Sequence, residues 1–419
     1  MTTLSFPLTR RRTLSSKAAF ALLSSSVLTL LASSSAPTPL YATYQARWGF
    51  SDVTITVIFG VYAVAVLASL LVFGSLSDHV GRRPILISAL ATQALVMLLF
   101  AFAGDLDALL LARVLQGLAT GAALGAIGAG LVDLHPGRGA IANAASGLAG
   151  TASGALGAAL AVELLPAPTK LIYLLLALIF AAQAVGVLGA EETSPRKPGA
   201  IAALKPVLAI PPRARGALLV AAPSLVAVWA LAGFYASLGP SVAAAIAGSN
   251  SVLLGGVALF TLAGSGSLTV LVFHALEPRR FALAGNGLVI LGTATVLWAI
   301  SLHSIAVFFV GTAISGSGFG AGFQGGLRTI VPLVEAHERA GILSVAYLIC
   351  YLAMGLPAIL AGVLVVHSTL VRTTQEFGVA VIVLAATTAV ALMLAARRDS
   401  RRAQAARRPP QAASIRQTA

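Results

Sequence analysis

Charged side chains are rare in this chain of 419 residues, and two groups of them have a spacing that could do chemistry. Asp78 lies four residues before Arg82, with Arg83 next to it, so its carboxylate can pair with either guanidinium or with a neighbouring helix end. Arg113 lies three residues before Gln116, which places both side chains on one helical face. The first group suits an ionic contact that forms in one conformation and breaks in another, and the second suits binding of a polar or anionic solute.

Hydrolytic or metal chemistry has little support in the sequence. No pair of histidines has the H-E-x-x-H spacing of a zinc site, and the densest group of ionisable residues, 335–339, is typical of a solvated connector. The phosphate-binding pattern G-x-x-x-x-G-K-[ST] is absent, which argues against ATP-driven pumping. We therefore expect no catalytic residue, no metal and no cofactor, and keep an integral-membrane enzyme as a remote alternative. The six histidines are scattered along the chain: His79, His135, His274, His303, His337 and His367.

The overall composition indicates a membrane protein. Hydrophobic residues make up 58% of the chain and charged residues 10%, whereas soluble proteins carry about 25% charged residues. These values exclude a water-soluble enzyme, a nucleic-acid-binding module and a disordered chain. The net charge of +14 comes from short basic clusters between long apolar runs, so it indicates membrane topology and no nucleic-acid partner. Cys350 is the single cysteine, which excludes an intrachain disulfide.

Twelve apolar runs have the length of about 20 residues that a membrane-spanning helix needs. In residue numbers they cover 18–41, 53–76, 84–103, 108–131, 142–164, 171–188, 216–238, 252–276, 281–302, 304–327, 341–367 and 377–396. The sequence thus predicts an all-α integral membrane protein of two six-helix bundles. Its predicted parts are a basic N-terminal segment (1–17), a first bundle (18–190), a proline-rich linker (191–215), a second bundle (216–396) and a disordered basic tail (397–419).

The distribution of basic residues predicts the orientation of these spans. One side of the membrane would hold 23 of the 27 lysines and arginines and the other side three, with Arg113 inside a span. This bias predicts that both termini are cytoplasmic and that the protein lies in the cytoplasmic (inner) membrane. The first run also has features of a cleaved signal sequence, with three arginines before it and small residues at 32–36. Cleavage would leave eleven spans, so we favour a retained first helix.

The loop between the second and third spans carries the most specific motif. Gly74, Asp78, Gly81 and the pair Arg82-Arg83 follow one another in this loop. This order of a glycine, an acidic residue, a second glycine and a basic pair resembles the loop signature of the major facilitator superfamily. Gly74 lets two helix ends approach closely and Gly81 permits a tight turn. The resemblance implies that Gly74, Asp78, Gly81, Arg82 and Arg83 form a cytoplasmic gate that stabilises one of two states. The full stretch is Gly74-Ser-Leu-Ser-Asp78-His-Val-Gly81-Arg82-Arg83-Pro84.

The fourth span adds a second resemblance, in Arg113-Val-Leu-Gln116-Gly117, to the arginine–glutamine–glycine pattern of this family. In relatives the matching arginine is linked to proton movement or substrate binding, and the resemblance implies such a role for Arg113. From the residues alone, an arginine inside a span faces protein or a water-filled cavity. Snorkelling of Arg113 to the outer interface, near Asp105 or Asp107, is the alternative.

The fifth span lacks the Gly-Pro motif that antiporters of the family often carry. It has a stripe of small residues that predicts close helix packing: Gly147, Gly150, Gly154 and Gly157. The second half echoes the first, with Glu277-Pro-Arg279-Arg280 after the eighth span and Gln324-Gly325 in the tenth. These echoes favour two halves related by a pseudo-two-fold axis, which is the fold of the family.

The resemblance further implies a central cavity between the halves that opens to each side in turn. Helix packing or an interfacial position is the alternative for each aromatic residue. The glycine-rich run 316–322 in the tenth span is the predicted site of bending. The predicted substrate and proton pathway comprises Tyr41, Gln45, Arg113, Gln116, Trp229, Tyr235, Gln324, Tyr347 and Tyr351.

These features predict a secondary active transporter of a small organic solute, working by alternating access and proton-coupled efflux. Uptake by facilitated diffusion or symport is the alternative. Apart from Asp78 and Glu163 near span ends, the predicted spans contain no acidic residue, so we expect a neutral or anionic amphipathic substrate. The expected partners are this solute, protons and the lipid bilayer, and we expect a monomer.

Overall fold

The computed structural model describes residues 13–406 except 207, 250, 336 and 337. These residues form α-helices joined by short connections, with two short 3₁₀ turns (Ala202–Leu204 and Val331–Leu333) and no strand among them. The helices are α1 (Ser16–Ser35), α2 (Pro37–Trp48), α3 (Asp52–Phe73), α4 (Ser77–Val80), α5 (Arg82–Ala101), α6 (Leu106–Leu134), α7 (Gly139–Leu164), α8 (Pro168–Leu188), α9 (Pro212–Ser237), α10 (Gly239–Ala247), α11 (Val252–Phe273), α12 (Pro278–Leu302), α13 (Ile305–Ile330), α14 (Arg339–His367) and α15 (Leu370–Ala406).

Within the described residues, twelve helical stretches are long and apolar enough to cross a membrane, which confirms the predicted all-α membrane fold. Helices α1 and α2 together make the first span; α3, α5, α6, α7 and α8 make the next five, and α9 and α11 to α15 make the last six. Successive spans alternate in direction. We call the end that carries α4, residues 189–211 and the connections after α6, α11 and α13 the basic face, and the other end the opposite face.

The last helix is longer than the sequence predicted. Helix α15 continues past Ala396 to Ala406, so the first ten residues of the predicted disordered tail are helical. Arginine and alanine make up seven of these ten residues, and both are strong helix formers. The rest of the predicted tail, 407–419, and residues 1–12 of the predicted N-terminal segment lie outside the described residues.

The first and seventh spans are both interrupted toward the opposite face. Helix α1 ends two residues before Pro37, which begins α2, and α9 ends two residues before Gly239-Pro240, which begins α10. Proline has no backbone N–H and cannot extend the ladder of the preceding helix. Helix α13, in contrast, is continuous through the glycine-rich run 316–322 that was predicted to bend.

The glycines of α13 are explained by close packing on three sides. A Cβ on Gly316 would lie 2.1 Å from the Leu262 carbonyl oxygen of α11, and a Cβ on Gly318 would lie 2.5 Å from the Val289 nitrogen of α12. On a third side, a Cβ on Gly322 would lie 3.2 Å from a Val228 methyl of α9. Small residues therefore let α13 occupy the centre of its bundle.

The first six spans pack with one another, as do the last six, and the two halves meet along two seams. One seam joins α7 to α11 and the other joins α3 to α14. The α7–α11 seam consists of small residues, since a Cβ on Gly256 would lie 2.3 Å from the Ala159 methyl, and Ser267 Oγ donates a 2.9 Å hydrogen bond to the Ala145 carbonyl. The α3–α14 seam carries the larger side chains of Tyr62 and Tyr351.

The glycine stripe predicted in the fifth span divides into two pairs. A Cβ on Gly150 would lie 2.2 Å from the Leu28 carbonyl oxygen, and a Cβ on Gly154 would lie 2.1 Å from the Ala32 carbonyl oxygen. Gly147 has only ordinary contacts at 3.8 Å or more, and nothing lies within 4 Å of the Cβ position of Gly157. Two of the four glycines thus hold α7 against α1, inside the first half.

Candidate functional site

A fully buried arginine lies in the first half, near the opposite face. Arg113 Nη1 donates to the Ser34 carbonyl oxygen at 3.0 Å and to Gln116 Oε1 at 2.8 Å. Its Nε donates to the Tyr41 hydroxyl at 3.1 Å, and its Nη2 donates to the same hydroxyl. Helix α6 supplies the arginine and the glutamine, while the broken first span supplies Ser34 and Tyr41.

Three aromatic rings surround the guanidinium. The Cζ atom of Arg113 lies 5.3 Å from the ring centre of Tyr62, 5.6 Å from that of Tyr41 and 5.8 Å from that of Phe100. Such distances allow cation–π attraction. No carboxylate of the described residues lies within ion-pair distance of Arg113. The buried charge is therefore held by neutral oxygens and ring faces alone.

The snorkelling alternative for Arg113 is wrong. Asp105 Oδ1 accepts a 2.8 Å hydrogen bond from the Ala108 backbone and caps the start of α6, and the guanidinium points into the bundle. An arginine without a carboxylate partner is costly to bury. This cost marks the position as a candidate functional site rather than a device for stability.

The break in the first span explains how this network is satisfied. The Ser33 carbonyl would normally accept from the residue four positions on, but that residue is Pro37, which has no N–H. Gln116 Nε2 takes the freed carbonyl at 2.9 Å. Gln93 of α5 then donates to the Gln116 carbonyl at 3.0 Å and to Thr120 Oγ1 at 2.7 Å. Pro37 on the first span thus frees a carbonyl that fixes the side chain of Gln116 on the fourth span.

Sequence reasoning missed several members of this site. Gln93 was detectable, because an amide in the middle of the apolar third span is expensive unless it has partners. Tyr62 and Phe100 gave no usable signal, since an aromatic residue within a span is most often a packing residue. Nothing in the spacing of one chain shows which span each of them faces.

A second cluster of predicted residues lies between the halves. The Trp229 ring centre lies 4.9 Å from that of Tyr351 and 5.4 Å from that of Phe323. Tyr347 and Tyr62 belong to the same apolar cluster, so Tyr62 contacts both the arginine network and the aromatic residues of the second half. Trp229 Nε1 is buried and has no hydrogen-bond partner among the described residues.

The remaining predicted pathway residues lie apart from these clusters. The Tyr235 hydroxyl pairs with Thr312 Oγ1 at 2.9 Å inside the second half. Gln45 is half-buried on α2, and Gln324 is half-buried on α13 toward the basic face. Gln116 and Gln324 do not occupy matching positions, because Gln324 lies much farther from the start of α13 than Gln116 lies from the start of α6.

The structural counterparts of the arginine network are neutral. Thr312 lies seven residues after the start of α13, as Arg113 does in α6, and Ser315 lies ten residues after it, as Gln116 does. Both hydroxyl residues are fully buried. Counted from the helix start, α13 therefore carries an uncharged residue where α6 carries Arg113.

The predicted gate motif forms an ionic cluster at the basic face. Arg82 Nη1 pairs with Asp78, as predicted, and Arg82 Nε lies 3.3 Å from Asp133 Oδ2 at the end of α6. Arg83 instead donates to the Val187 carbonyl at 3.2 Å, at the C-terminal end of α8, where a cation is favoured. Gly81 has a φ of 106°, a conformation that favours glycine.

A linker carboxylate completes this cluster. The two carboxylate oxygens of Glu192 accept from the backbone N–H groups of Arg82 at 2.8 Å and Arg83 at 3.0 Å, which caps the N-terminus of α5. A Cβ at position 81 would lie 2.6 Å from Glu192 Oε2. Glycine at position 81 therefore serves the close approach of the carboxylate as well as the turn.

The second half repeats this arrangement with a local carboxylate. Glu277 accepts from the backbone N–H groups of Arg279 at 3.0 Å and Arg280 at 2.9 Å, and caps α12. The hydrogen bond from the Arg279 backbone N–H lowers the pKa of Glu277. Burial opposes this effect, and the Arg280 N–H adds to the lowering. Arg279 also donates to the Leu392 carbonyl of α15 at 2.6 Å, as Arg83 does to α8.

A sequence model of the Major Facilitator Superfamily matches residues 22–276, which is well over half of the chain. The chain belongs to the Major Facilitator Superfamily. Among solved structures, this superfamily member is similar to the nucleoside transporter NupG, with a TM-score of 0.66 at 13% identity over 90% of this chain and 100% of that one. It is thus a multi-pass membrane transporter rather than an enzyme. Within the described residues, no group of three or more His, Cys, Asp or Glu residues could hold a metal.

Among curated proteins, the chain is similar to the inner membrane transport protein YajR of Escherichia coli (strain K12). The two are 34% identical over 97 residues, which is 23% of this chain. The match spans about a fifth of the length of YajR, namely 21%.

Proposed function

We propose that this transporter exports a small neutral or anionic amphipathic solute by alternating access, with the Arg113 network as the polar end of its binding site. The observation that carries the proposal is the buried guanidinium of Arg113, whose partners among the described residues are all neutral. A solute carboxylate supplies the counter-charge that the protein does not, and the carbonyl of a neutral solute supplies a hydrogen-bond acceptor.

The aromatic residues between the halves provide the apolar end of the proposed site. Tyr62 contacts the guanidinium on one side and belongs to the cluster of Trp229 and Tyr351 on the other. A flat apolar group of the solute that stacks on these aromatic rings would be separated from Arg113 by only one or two side chains. Trp229 Nε1 is an unused donor at this position. Such a surface suits an amphipathic solute with a ring and an acceptor group.

A permanently cationic solute fits this site poorly. Two like charges 4 Å apart repel by about 4 kcal/mol at an effective dielectric constant of 20. The described spans offer no compensating carboxylate near their centres, because their acidic residues lie within the first two turns or the last turn of helices. These residues are Asp107, Asp133, Glu163 and Glu376.

We further propose that the basic face is cytoplasmic and that the Asp78–Arg82–Asp133 cluster stabilises one state of the transport cycle. The excess of basic residues on this face supports the orientation. The ion pairs support the gate, because they join the ends of α4, α5 and α6 and can be exchanged when these ends move.

Proton-driven export is the coupling we propose. The second candidate is facilitated or symport uptake. The lack of a carboxylate near the centres of the described spans favours its facilitated form, since a buried carboxylate is the usual proton carrier in a membrane. Proton-driven export and facilitated diffusion differ in one measurable respect. Export coupled to protons requires that an imposed pH gradient changes the solute flux.

The test begins with a ligand screen on purified protein, because a ligand that binds the folded state raises its melting temperature. The panel contains aromatic carboxylates, neutral aromatic amides and permanently cationic dyes; nucleosides join it because NupG is a nucleoside transporter. Flux of the best ligand is then measured in proteoliposomes with and without a pH gradient. The variants are Arg113→Ala and, as a matched control, Arg372→Ala, which removes an exposed arginine.

We expect stabilisation by neutral or anionic ligands and loss of their flux in Arg113→Ala, with normal flux in Arg372→Ala. Efflux of cationic dyes that is unaffected by Arg113→Ala would overturn the proposed substrate class. Flux that is independent of the pH gradient would reject proton coupling in favour of the facilitated carrier.

A further inference from the structure

The linker between the halves has an unusual combination of exposed side chains. We call the following residues the linker surface: Arg196, Lys197, Ile201, Lys205, Leu208 and Ile210. All six are exposed, and Ile201 and Leu208 expose 85% and 50% of their surface. A solvated connector has no need of large aliphatic side chains in water.

The backbone of the linker is anchored to the protein, which directs these side chains away from it. The Lys197 backbone N–H donates to the His79 carbonyl at 2.9 Å, and the Ala203 carbonyl accepts from Ser75 Oγ at 2.9 Å. Ala209 contacts the start of α14, where a Cβ on Gly341 would lie 3.0 Å from it. The linker thus lies across the basic-face end of the α3–α14 seam and is held from both halves.

The position of the linker confines it to the membrane boundary. Helix α8 ends at Leu188 and helix α9 begins at Pro212, and both are membrane spans. The linker begins and ends where these two helices leave the hydrocarbon, and its backbone is hydrogen-bonded to the protein. It therefore stays near the headgroup layer. There, aliphatic side chains enter the boundary between headgroups and acyl chains, and basic side chains reach phosphates.

The charges of the linker surface select the kind of lipid. Arg196, Lys197 and Lys205 have no ion pair within the described part of the chain, so their charge is available to a partner. Arg213, just beyond, is by contrast paired with Glu335 and Glu338. Basic side chains near a bilayer surface are attracted to anionic headgroups.

We propose that the linker surface binds anionic phospholipid in the leaflet at the basic face, with Ile201, Leu208 and Ile210 inserted at the headgroup boundary. The binding is independent of the transported solute and needs only the membrane insertion of the chain. Because the linker is anchored to both halves, binding of anionic lipid to it then influences the position of α3 relative to α14.

The experiment uses the full-length protein in nanodiscs of phosphatidylcholine alone or mixed with phosphatidylglycerol. The native cysteine, Cys350, is fully buried, so Ile201→Cys or Leu208→Cys can be labelled selectively with an environment-sensitive fluorophore. Emission wavelength and quenching by brominated lipid report contact with the membrane. The charge variant combines Arg196→Gln, Lys197→Gln and Lys205→Gln. The control is Lys170→Gln, which removes a basic residue at the start of α8, on the opposite face.

We expect both probes to shift to shorter wavelength and to be quenched in discs that contain phosphatidylglycerol. Each basic residue removed should weaken this lipid contact about fivefold at low ionic strength, so the triple variant should weaken it about a hundredfold. The Lys170→Gln control should show the wild-type response.

Three results would overturn the proposal. Probes that report water in both lipid compositions would show that the linker surface faces the aqueous phase. Lipid contact that is equal in both compositions and unchanged in the triple variant would refute selection of anionic lipid. Energy transfer between labelled copies in discs that hold two chains would assign the surface to a second copy. None of these outcomes depends on which solute is transported.

Discussion

The four glycines of the fifth span allow a sharp test of the packing in the first half. Gly150 and Gly154 face the backbone of α1, whereas Gly147 and Gly157 do not. We predict that alanine at 150 or 154 destabilises the protein strongly, and that alanine at 147 or 157 leaves its stability unchanged or raises it. All four substitutions add the same methyl group to the same helix, so each pair is the control for the other.

The magnitude follows from the distances. A new Cβ at position 150 would meet a backbone carbonyl at 2.2 Å and one at 154 would meet a carbonyl at 2.1 Å, whereas ordinary contacts begin at 3.4 Å. Helix α1 would therefore have to move by more than 1 Å, since a backbone oxygen cannot rotate away. Overpacking of this kind costs about 1–3 kcal/mol or more for each site. At positions 147 and 157, alanine should contribute up to about 1 kcal/mol through its helix propensity.

The chain contains its own reporter for this measurement. Cys350 is the only cysteine and is fully buried, so a fluorogenic maleimide reacts with it only when the protein unfolds. Melting curves of the four variants in one detergent should separate into two low and two high midpoints. Midpoints for Gly150→Ala and Gly154→Ala equal to the wild-type value would refute the close contact between α1 and α7. A loss at Gly157→Ala as large as at Gly154→Ala would refute the division of the stripe.

Three further predictions use the same assay. Glu192→Gln should lower stability by about 1 kcal/mol, because it removes the charged cap of α5, whereas Glu191→Gln, an exposed neighbour, should melt as the wild type does. The pKa of Glu277 is lowered in the folded protein, so its stabilising effect is complete above its ordinary pKa of 4.5. This effect disappears as the pH falls through the lower, folded-state pKa. The difference in melting temperature between wild type and Glu277→Gln should therefore shrink only in that acidic range. Tyr41→Phe removes the hydroxyl that accepts from two donors of Arg113. Each buried donor left unpaired should lower the free energy of unfolding by about 1–3 kcal/mol. A wild-type melting midpoint would show that water or another group replaces the hydroxyl.

The spans and the gate motif were predictable from the sequence because they are local. A membrane helix is recognised from about 20 consecutive apolar residues. Asp78 and Arg82 pair across the turn at Gly81, only four residues apart in the chain. The break between α1 and α2 was also within reach. Pro37 cannot donate to the preceding turn, although the apolar content of the run continues past it.

The partners of Arg113 were not predictable, because they come from spans that are distant in the sequence. Tyr62 and Phe100 lie on α3 and α5, and an apolar helix gives no periodic signal for the face that meets protein rather than lipid. Glu192 was hidden for a different reason. Its role depends on the linker folding back onto α5, and one carboxylate in a polar segment has no distinguishing pattern.

The contrast between Glu192 and Glu277 has a practical consequence for dividing the chain into two co-expressed polypeptides. Glu277, which caps α12, directly precedes that helix in the chain, whereas Glu192, which caps α5, lies 110 residues after Arg82. A cut directly after α8 would leave that glutamate on the wrong fragment. A cut between Ala203, which is tied to the first half, and Ala209, which touches the second, would leave each fragment with its complete set of helix-end contacts.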